Sequence, residues 1–226
     1  MIEALDFGPI VLSFKLAAVT TLILALIATP LAWWLAFTQS RAKVVIEAIT
    51  ALPLVLPPTV IGFYLLIAMS PDALVGNFWR TVTGTTLTFS FAGLVVASVM
   101  YSLPFAVQPL QSAFESVGKS PLEAAATLGA SPLDAFFSVA SPLAKRGYIT
   151  AAVLTFAHTI GEFGVVLMVG GNIPGQTKVV SIAIFEHVET IDYTQAHMLS
   201  ALMLAFSFIA LLFVFAMNRR FPVRVG

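Results

Sequence analysis

Cysteine is absent from the sequence, which excludes disulfides and thiolate metal centres. Only three histidines occur, His158, His187 and His197, and none has the close pairing of a zinc motif. Charge is scarce too: 11 Lys and Arg balance 11 Asp and Glu, so the net charge is zero and the charged fraction is 10%. Soluble domains carry about 25% charged residues, and this chain lacks the polar surface that a water-soluble globule needs. The same shortage excludes a nucleic-acid partner, because neutralising phosphates takes clustered Lys and Arg. Hydrocarbon takes the place of charge: hydrophobic residues fill 59% of positions, and the mean hydropathy is +0.98. Such a chain has lipid and protein as its partners.

A membrane span needs roughly 20 mainly apolar residues to cross a hydrocarbon core about 30 Å thick. Five segments qualify, near residues 10–37, 44–69, 86–110, 147–169 and 198–217. They predict an all-α polytopic membrane protein, with residues 1–226 forming one transmembrane domain. The first segment is read as a retained span: a signal peptide wants a basic start and a short apolar core, whereas this start carries Glu3 and Asp6. In the loops, Arg41, Lys43, Lys119, Lys145, Arg146, Arg219, Arg220 and Arg224 fall on one side, and only Arg80 and Lys178 on the other. The positive-inside rule then places the N-terminus outside and the C-terminus in the cytoplasm. Lys15 is expected to snorkel from the outer end of the first span, and Trp33 and Trp34 to sit in an interfacial belt at its inner end.

Two loops are long enough to hold structure. The outer one, residues 170–197, opens with the turn-forming run Gly170-Gly171-Asn172-Ile173-Pro174-Gly175. It continues as a stretch too polar to span, expected to form a short helix at the outer surface or packed against the spans. The inner one, residues 112–145, contains Ser120-Pro121-Leu122-Glu123, which offers an N-cap, an early proline and a glutamate able to close a capping box. Ala124, Ala125, Ala126 and Leu128 extend that helix, and Gly129 ends it. Ser131-Pro132-Leu133-Asp134 repeats the start signal, with aspartate the weaker box-closer, so two short helices meet at an angle. Gly118-Lys119-Ser120 looks like the end of a phosphate-binding loop, but Ala113 stands where the first glycine belongs and Pro121 follows directly.

Glu123-Ala124-Ala125, Gly129 and the run Val139-Ala140-Ser141-Pro142 are spaced so that the inner loop resembles the EAA loop of binding-protein-dependent ABC importer permeases. The family pattern is E-A-A-x3-G-x9-I-x-L-P, from which Val139 and Ser141 depart. The resemblance implies a type I importer permease in a bacterial or archaeal inner membrane. It also implies that Ser120, Glu123, Ala124, Ala125, Gly129, Ser131 and Pro142 couple the spans to a separate cytoplasmic ATPase, which binds the ATP and magnesium. This chain would then be no enzyme and hold no cofactor of its own.

The second segment contains Pro53, Pro57 and Pro58, each of which removes a helical hydrogen bond. Broken backbone survives at membrane depth only inside a bundle or beside a water-filled cavity, so Pro57, Pro58 and Thr59 mark either a packing kink or the wall of a route. The fourth holds His158-Thr159-Ile160-Gly161-Glu162-Phe163-Gly164, which puts an ionisable residue deep in apolar surroundings. Such a residue costs on the order of a few kcal/mol to insert. Glu162 is expected to face the interior with His158 as its nearest partner, while Gly161 and Gly164 admit a neighbouring helix.

These runs, with Asn172-Ile173-Pro174-Gly175-Gln176-Thr177, resemble the molybdate importer permeases of the ABC family. The resemblance implies a homodimer with its pathway at the dimer interface and a periplasmic or extracellular oxyanion-binding protein docking outside. Tungstate and sulfate permeases share much of the pattern and are the nearest alternatives. An ion-coupled secondary transporter is a rival from another class, but no second copy of the broken-helix segment is visible. An intramembrane enzyme would need a nucleophile-elbow or metal-ligand motif, and none is found. A carboxylate repels a dianion, so Glu162 is taken as structural or gating.

Overall fold

A computed structural model describes residues 6–219, and these are helical apart from turns and short connections. Glu3, Arg220 and Arg224 of the sequence reading lie outside the described residues. Among the described residues three helices are long and apolar enough to cross a membrane, and five spans result if each of two bent pairs counts as one.

The framework is α1 (Gly8–Phe37), α5 (Phe91–Val117) and α9 (Lys145–Gly161), which pack on one another along their lengths. Leu24, Ala28, Ala32 and Leu35 of α1 meet Ala106, Val107, Leu110 and Phe114 of α5 in the largest buried cluster. Small residues bring the backbones close: a Cβ added at Gly147 would stand 2.3 Å from Ala113 Cβ. Lipid supplies no hydrophobic drive between helices, so this close packing is what holds them together.

α5 runs seven residues past the expected end at 110. The apolar pattern stops there, but Gln111 Nε2 donates to Glu47 Oε1 at 2.7 Å and to Glu115 Oε1 at 3.0 Å, and Lys43 pairs with Glu115 at 3.5 Å. The polar turns of α5 are thus satisfied by α2 (Ala42–Val55). Trp33, expected in the interfacial belt, instead packs edge-on against Phe114 and Phe136, and Lys15 Nζ lies 4.8 Å over the Phe91 ring.

The second segment is a bent pair, α2 and α3 (Pro58–Ala68), which meet at 112°. The fourth is α9 and α10 (Gly164–Gly170), bent by 61°. α10 packs against α3 and α5. Between α3 and α5 lies a helix absent from the sequence reading, α4 (Leu74–Thr83), closed by left-handed Gly84 at φ +72°. Its signal was present, since Leu74, Phe78 and Val82 share one face.

The polar stretch of the 170–197 loop forms α11 (Val180–Glu189), which packs against the spans through buried Val180, Ile182 and Ala183. Ser13 Oγ accepts from the Val180 amide at 2.8 Å, fixing α11 to α1. Ahead of it, Thr177 Oγ1 donates to the Gly170 carbonyl at 2.7 Å and accepts from the Ile173 amide at 3.1 Å, so the Asn172–Thr177 run is clamped on itself. The last helix, α12 (Tyr193–Arg219), packs on α9 and α11.

Candidate functional site

Two regions collect the residues that the sequence singled out. The first is the hairpin between α5 and α9. It opens with α6 (Ser120–Thr127), whose cap position is Lys119 in helical conformation and not Ser120. The expected box between Ser120 and Glu123 is therefore not formed: Ser120 already has a place in the first turn, and no side chain caps the helix. At the other end, Gly129 adopts φ +86°, its amide donates to Ala126 O at 3.0 Å, and the Ala130 amide donates to Ala125 O at 3.1 Å. This is a Schellman closure, which needs the left-handed backbone that glycine adopts without strain.

The capping box forms at the second start signal instead. Ser131 Oγ accepts from the Asp134 amide at 3.2 Å, and the Asp134 carboxylate accepts from the Ser131 amide at 3.3 Å, opening α7 (Pro132–Ala135). The helix then widens into a π turn over Phe136–Ala140 before α8 (Ser141–Leu143). Pro142 accounts for the wide turn, because it has no amide to offer the preceding carbonyls and its ring needs room there.

Ser120, Glu123, Ala124, Gly129, Ser131 and Pro142 are exposed, whereas Ala125 is buried against the hairpin's own body. Leu128 and Leu133 add apolar surface at 89% and 70% exposure, more than any buried-core role allows. Underneath, Phe136 packs on Trp33 at 5.0 Å and on Phe114 at 6.0 Å, while Phe114 meets Tyr148 at 6.0 Å. The exposed tip thus rests on an aromatic cluster drawn from α1, α5 and α9. Pro121 in the first turn of α6 removes one of the amides that a phosphate would use.

The second region is an open cleft of about 560 Å³ where the two helix breaks meet. Pro58, Thr59, Gly161, Glu162 and Gly164 of the sequence reading line it together with Tyr101, Ala157, His158 and Phe163. Pro57 is the residue before α3 and sets its start without lining the cleft. A Cβ on Gly164 would stand 2.7 Å from Pro58 Cβ, and one on Gly62 2.8 Å from Met168 Cβ, so α3 and α10 touch almost backbone to backbone. Gly161 departs from expectation: a Cβ there would meet nothing within 4 Å, and it faces the open space itself.

Glu162 is 4% exposed, and neither carboxyl oxygen has a hydrogen-bond partner. The expected pairing with His158 does not occur. His158 Nδ1 instead shares a hydrogen bond with Ser102 Oγ at 2.9 Å, and its ring stacks on Phe105 at 3.9 Å. Ser102 Oγ also bonds Thr159 Oγ1 at 3.0 Å, so Ser102, His158 and Thr159 satisfy one another and leave Glu162 out. From α5, Ser98 faces the carboxyl, yet its hydroxyl completes no bond either. The backbone at the break is better served, because Ser181 Oγ donates to the Glu162 carbonyl at 2.5 Å. Sequence reasoning missed Ser98, Tyr101 and Ser102, although their spacing along one face of α5 was the signal available. Among the described residues no group of His, Asp and Glu is arranged to hold a metal ion.

Comparison with known proteins places this geometry. Residues 11–223 match the family described as the inner membrane component of binding-protein-dependent transport systems. The molybdenum transport system permease protein ModB of Azotobacter vinelandii is 57% identical over 96% of this chain and 95% of its own length. The sulfate transport system permease protein CysT of a Synechocystis strain is 33% identical over 89% of this chain and 70% of its own. Among solved structures, a bacterial alginate ABC transporter in complex with its alginate-loaded periplasmic protein superposes with a TM-score of 0.75 at 15% identity, over 97% of this chain and 80% of that one. That likeness bears on the fold.

Proposed function

The chain belongs to the family of inner-membrane components of binding-protein-dependent transport systems, and from that premise we propose that it is the molybdate-carrying permease of an ATP-driven importer. It works as a homodimer, with a separate ATPase subunit seated on each hairpin and a soluble oxyanion-binding protein docking at the opposite face. In this arrangement the hairpins and the C-terminus lie in the cytoplasm and the N-terminus outside. ATP and magnesium belong to the ATPase, and this chain catalyses no reaction.

The observation that carries this reading is the hairpin. Its exposed residues Ala124, Leu128, Gly129 and Leu133 form a small apolar tip flanked by the acids Glu123 and Asp134, suited to a cleft on another subunit. Its buried side, through Phe136, is joined to Trp33 and Phe114, so displacement of the tip moves α1 and α5 together. Pathway residues follow from the cleft: Pro58, Thr59, Gly161, Glu162 and Gly164 line it, and Pro57 sets the bend. Among the described residues no Lys or Arg lines it, which suits a route that must release a dianion as readily as it admits one.

Molybdate is favoured over sulfate because the molybdenum permease is far more similar to this chain than the sulfate permease is. The test is reconstitution in proteoliposomes with the ATPase and the binding protein, measuring uptake and ATP hydrolysis as molybdate, tungstate or sulfate is added. Molybdate is expected to drive both, and sulfate neither. Sulfate-driven uptake would overturn the substrate assignment, and uptake without ATP the whole reading.

A further inference from the structure

The Glu162 carboxyl is the one feature of the cleft that the proposed route leaves unexplained. An ionised carboxylate with both oxygens buried and no donor carries the full desolvation penalty of the charge, several kcal/mol. The groups of α5 nearest it are Ser98 and Tyr101, His158 of α9 lines the same cleft, and Ser181 of α11 meets only its backbone carbonyl. None is a fixed cation. Glu162 is nevertheless one of the residues bordering an open cleft with room for a tetrahedral oxyanion, its carboxyl buried just behind the surface.

The same cleft receives the N-terminal end of α3, which begins at Pro58 and runs for 11 residues. Pro58 has no amide and the Val60 amide donates to the Pro57 carbonyl at 2.9 Å, so the Thr59 amide is the one left without an intrahelical acceptor, and the helix dipole favours negative charge beside it. Thr59 and Tyr101 add hydroxyl donors on the same wall. All of these favour an anion, and only an ionised Glu162 would oppose one. As a neutral acid, Glu162 reverses its role, because its O–H becomes one more donor.

We propose that the cleft between the two helix breaks is a transient binding station for the oxyanion, and that Glu162 serves it as a neutral carboxylic acid donating a hydrogen bond. This deepens the permease reading and rests on it. The station has dipoles and neutral donors in place of Lys or Arg, so it holds the anion weakly and lets it pass. No covalent step or net proton transfer is involved, and the acid keeps its proton when the anion moves on.

The experiment compares the wild type with Glu162→Gln and Glu162→Ala in the reconstituted complex, with assembly checked by copurification of the ATPase. The amide of glutamine keeps a donor of the same shape. Initial molybdate uptake by Glu162→Gln should stay within about twofold of wild type, while Glu162→Ala should fall roughly five- to tenfold, the scale of one lost hydrogen bond. A second readout does not depend on turnover: infrared difference spectra of the wild-type complex should show a protonated-carboxyl stretch that is lost in Glu162→Gln and shifts on adding molybdate. The proposal is overturned if Glu162→Ala transports at the wild-type rate, if the assembled Glu162→Gln complex is as slow as Glu162→Ala, or if that stretch is missing. A wild-type complex that takes up no molybdate at all would instead remove the permease reading beneath it.

Discussion

Single residues in this chain are constrained most where side chains are missing. Gly129 sits at φ +86° within the Schellman closure that ends α6. Gly129→Asp should leave insertion into the membrane intact while uncoupling ATP hydrolysis from uptake, because the strain falls on an exposed tip and not on the buried bundle. Wild-type uptake together with normal ATPase copurification would count against that. Gly147 is constrained differently: its Cβ would lie 2.3 Å from Ala113 Cβ and 3.1 Å from the Pro109 carbonyl, both on α5. Gly147→Ala should therefore push α9 from α5 and destabilise the fold by about 1–3 kcal/mol. A lower melting temperature in detergent checks it, and an unchanged one refutes the close contact.

Much of this was legible in the residues themselves, and what escaped has a common cause. Gly129 could be read because left-handed backbone is a local demand. The failed box at Ser120 and the successful one at Ser131 could not be ranked, because the choice depends on which residue takes the cap position: helical Lys119 takes it at the first start, whereas Ser131 takes it at the second, extended at ψ 161°. Glu162 was found as an ionisable residue out of place, but its assumed partner was wrong. His158 follows the Ser102 hydroxyl across to α5, a contact between residues far apart in sequence that spacing along one helix cannot reveal.

At the scale of elements, the hairpin and the 170–191 segment are each held by a few contacts that can be removed singly. Trp33 touches Phe37, Phe114 and Phe136, and deleting a buried aromatic costs about 3–5 kcal/mol. Trp33→Ala should loosen the hairpin from α1, seen as faster hydrogen exchange over residues 132–144 with little change in α12. In the other segment, Glu186 is held below the usual carboxylate range, first by the hydrogen bond from Lys178 and then by that from Asn172. A depressed carboxyl contributes stability that is present above its unfolded value and disappears as pH falls through the folded one. Acidification below about pH 4.5 should therefore open residues 172–178, and hydrogen exchange there should rise. Glu186→Gln should already exchange faster at neutral pH and respond less to acid. The pair is partly exposed, so its effect stays at or below about 1 kcal/mol.

The spans show how hydropathy succeeds and where it stops. Apolar runs coincide with the three long helices and with the two bent pairs, and α1 matches its expected limits closely. Hydropathy did not see that α5 continues to Val117, because the polar residues there answer to Glu47 on another helix. The bends at Pro57 and Glu162 were suggested by composition, but their angles are set by which helices lie alongside.

For the molecule as a whole, the natural lack of cysteine makes the proposed dimer directly testable. If the cleft faces a second copy, Thr59→Cys placed in the otherwise thiol-free chain should join two permeases through a short bifunctional thiol reagent, and the yield should change when ATP is added. A homodimer that resists every such linker would move the route away from this face.

The tight seam between α3 and α10, Gly164 on Pro58 and Gly62 on Met168, leaves these two half-helices no room to slide past each other. Each is joined to its long partner through a sharp bend. A rotation begun in either long helix must tilt both short ones as one rigid wedge, so the opening at the breaks would widen or narrow as a unit, with little chance of both ends standing ajar at once.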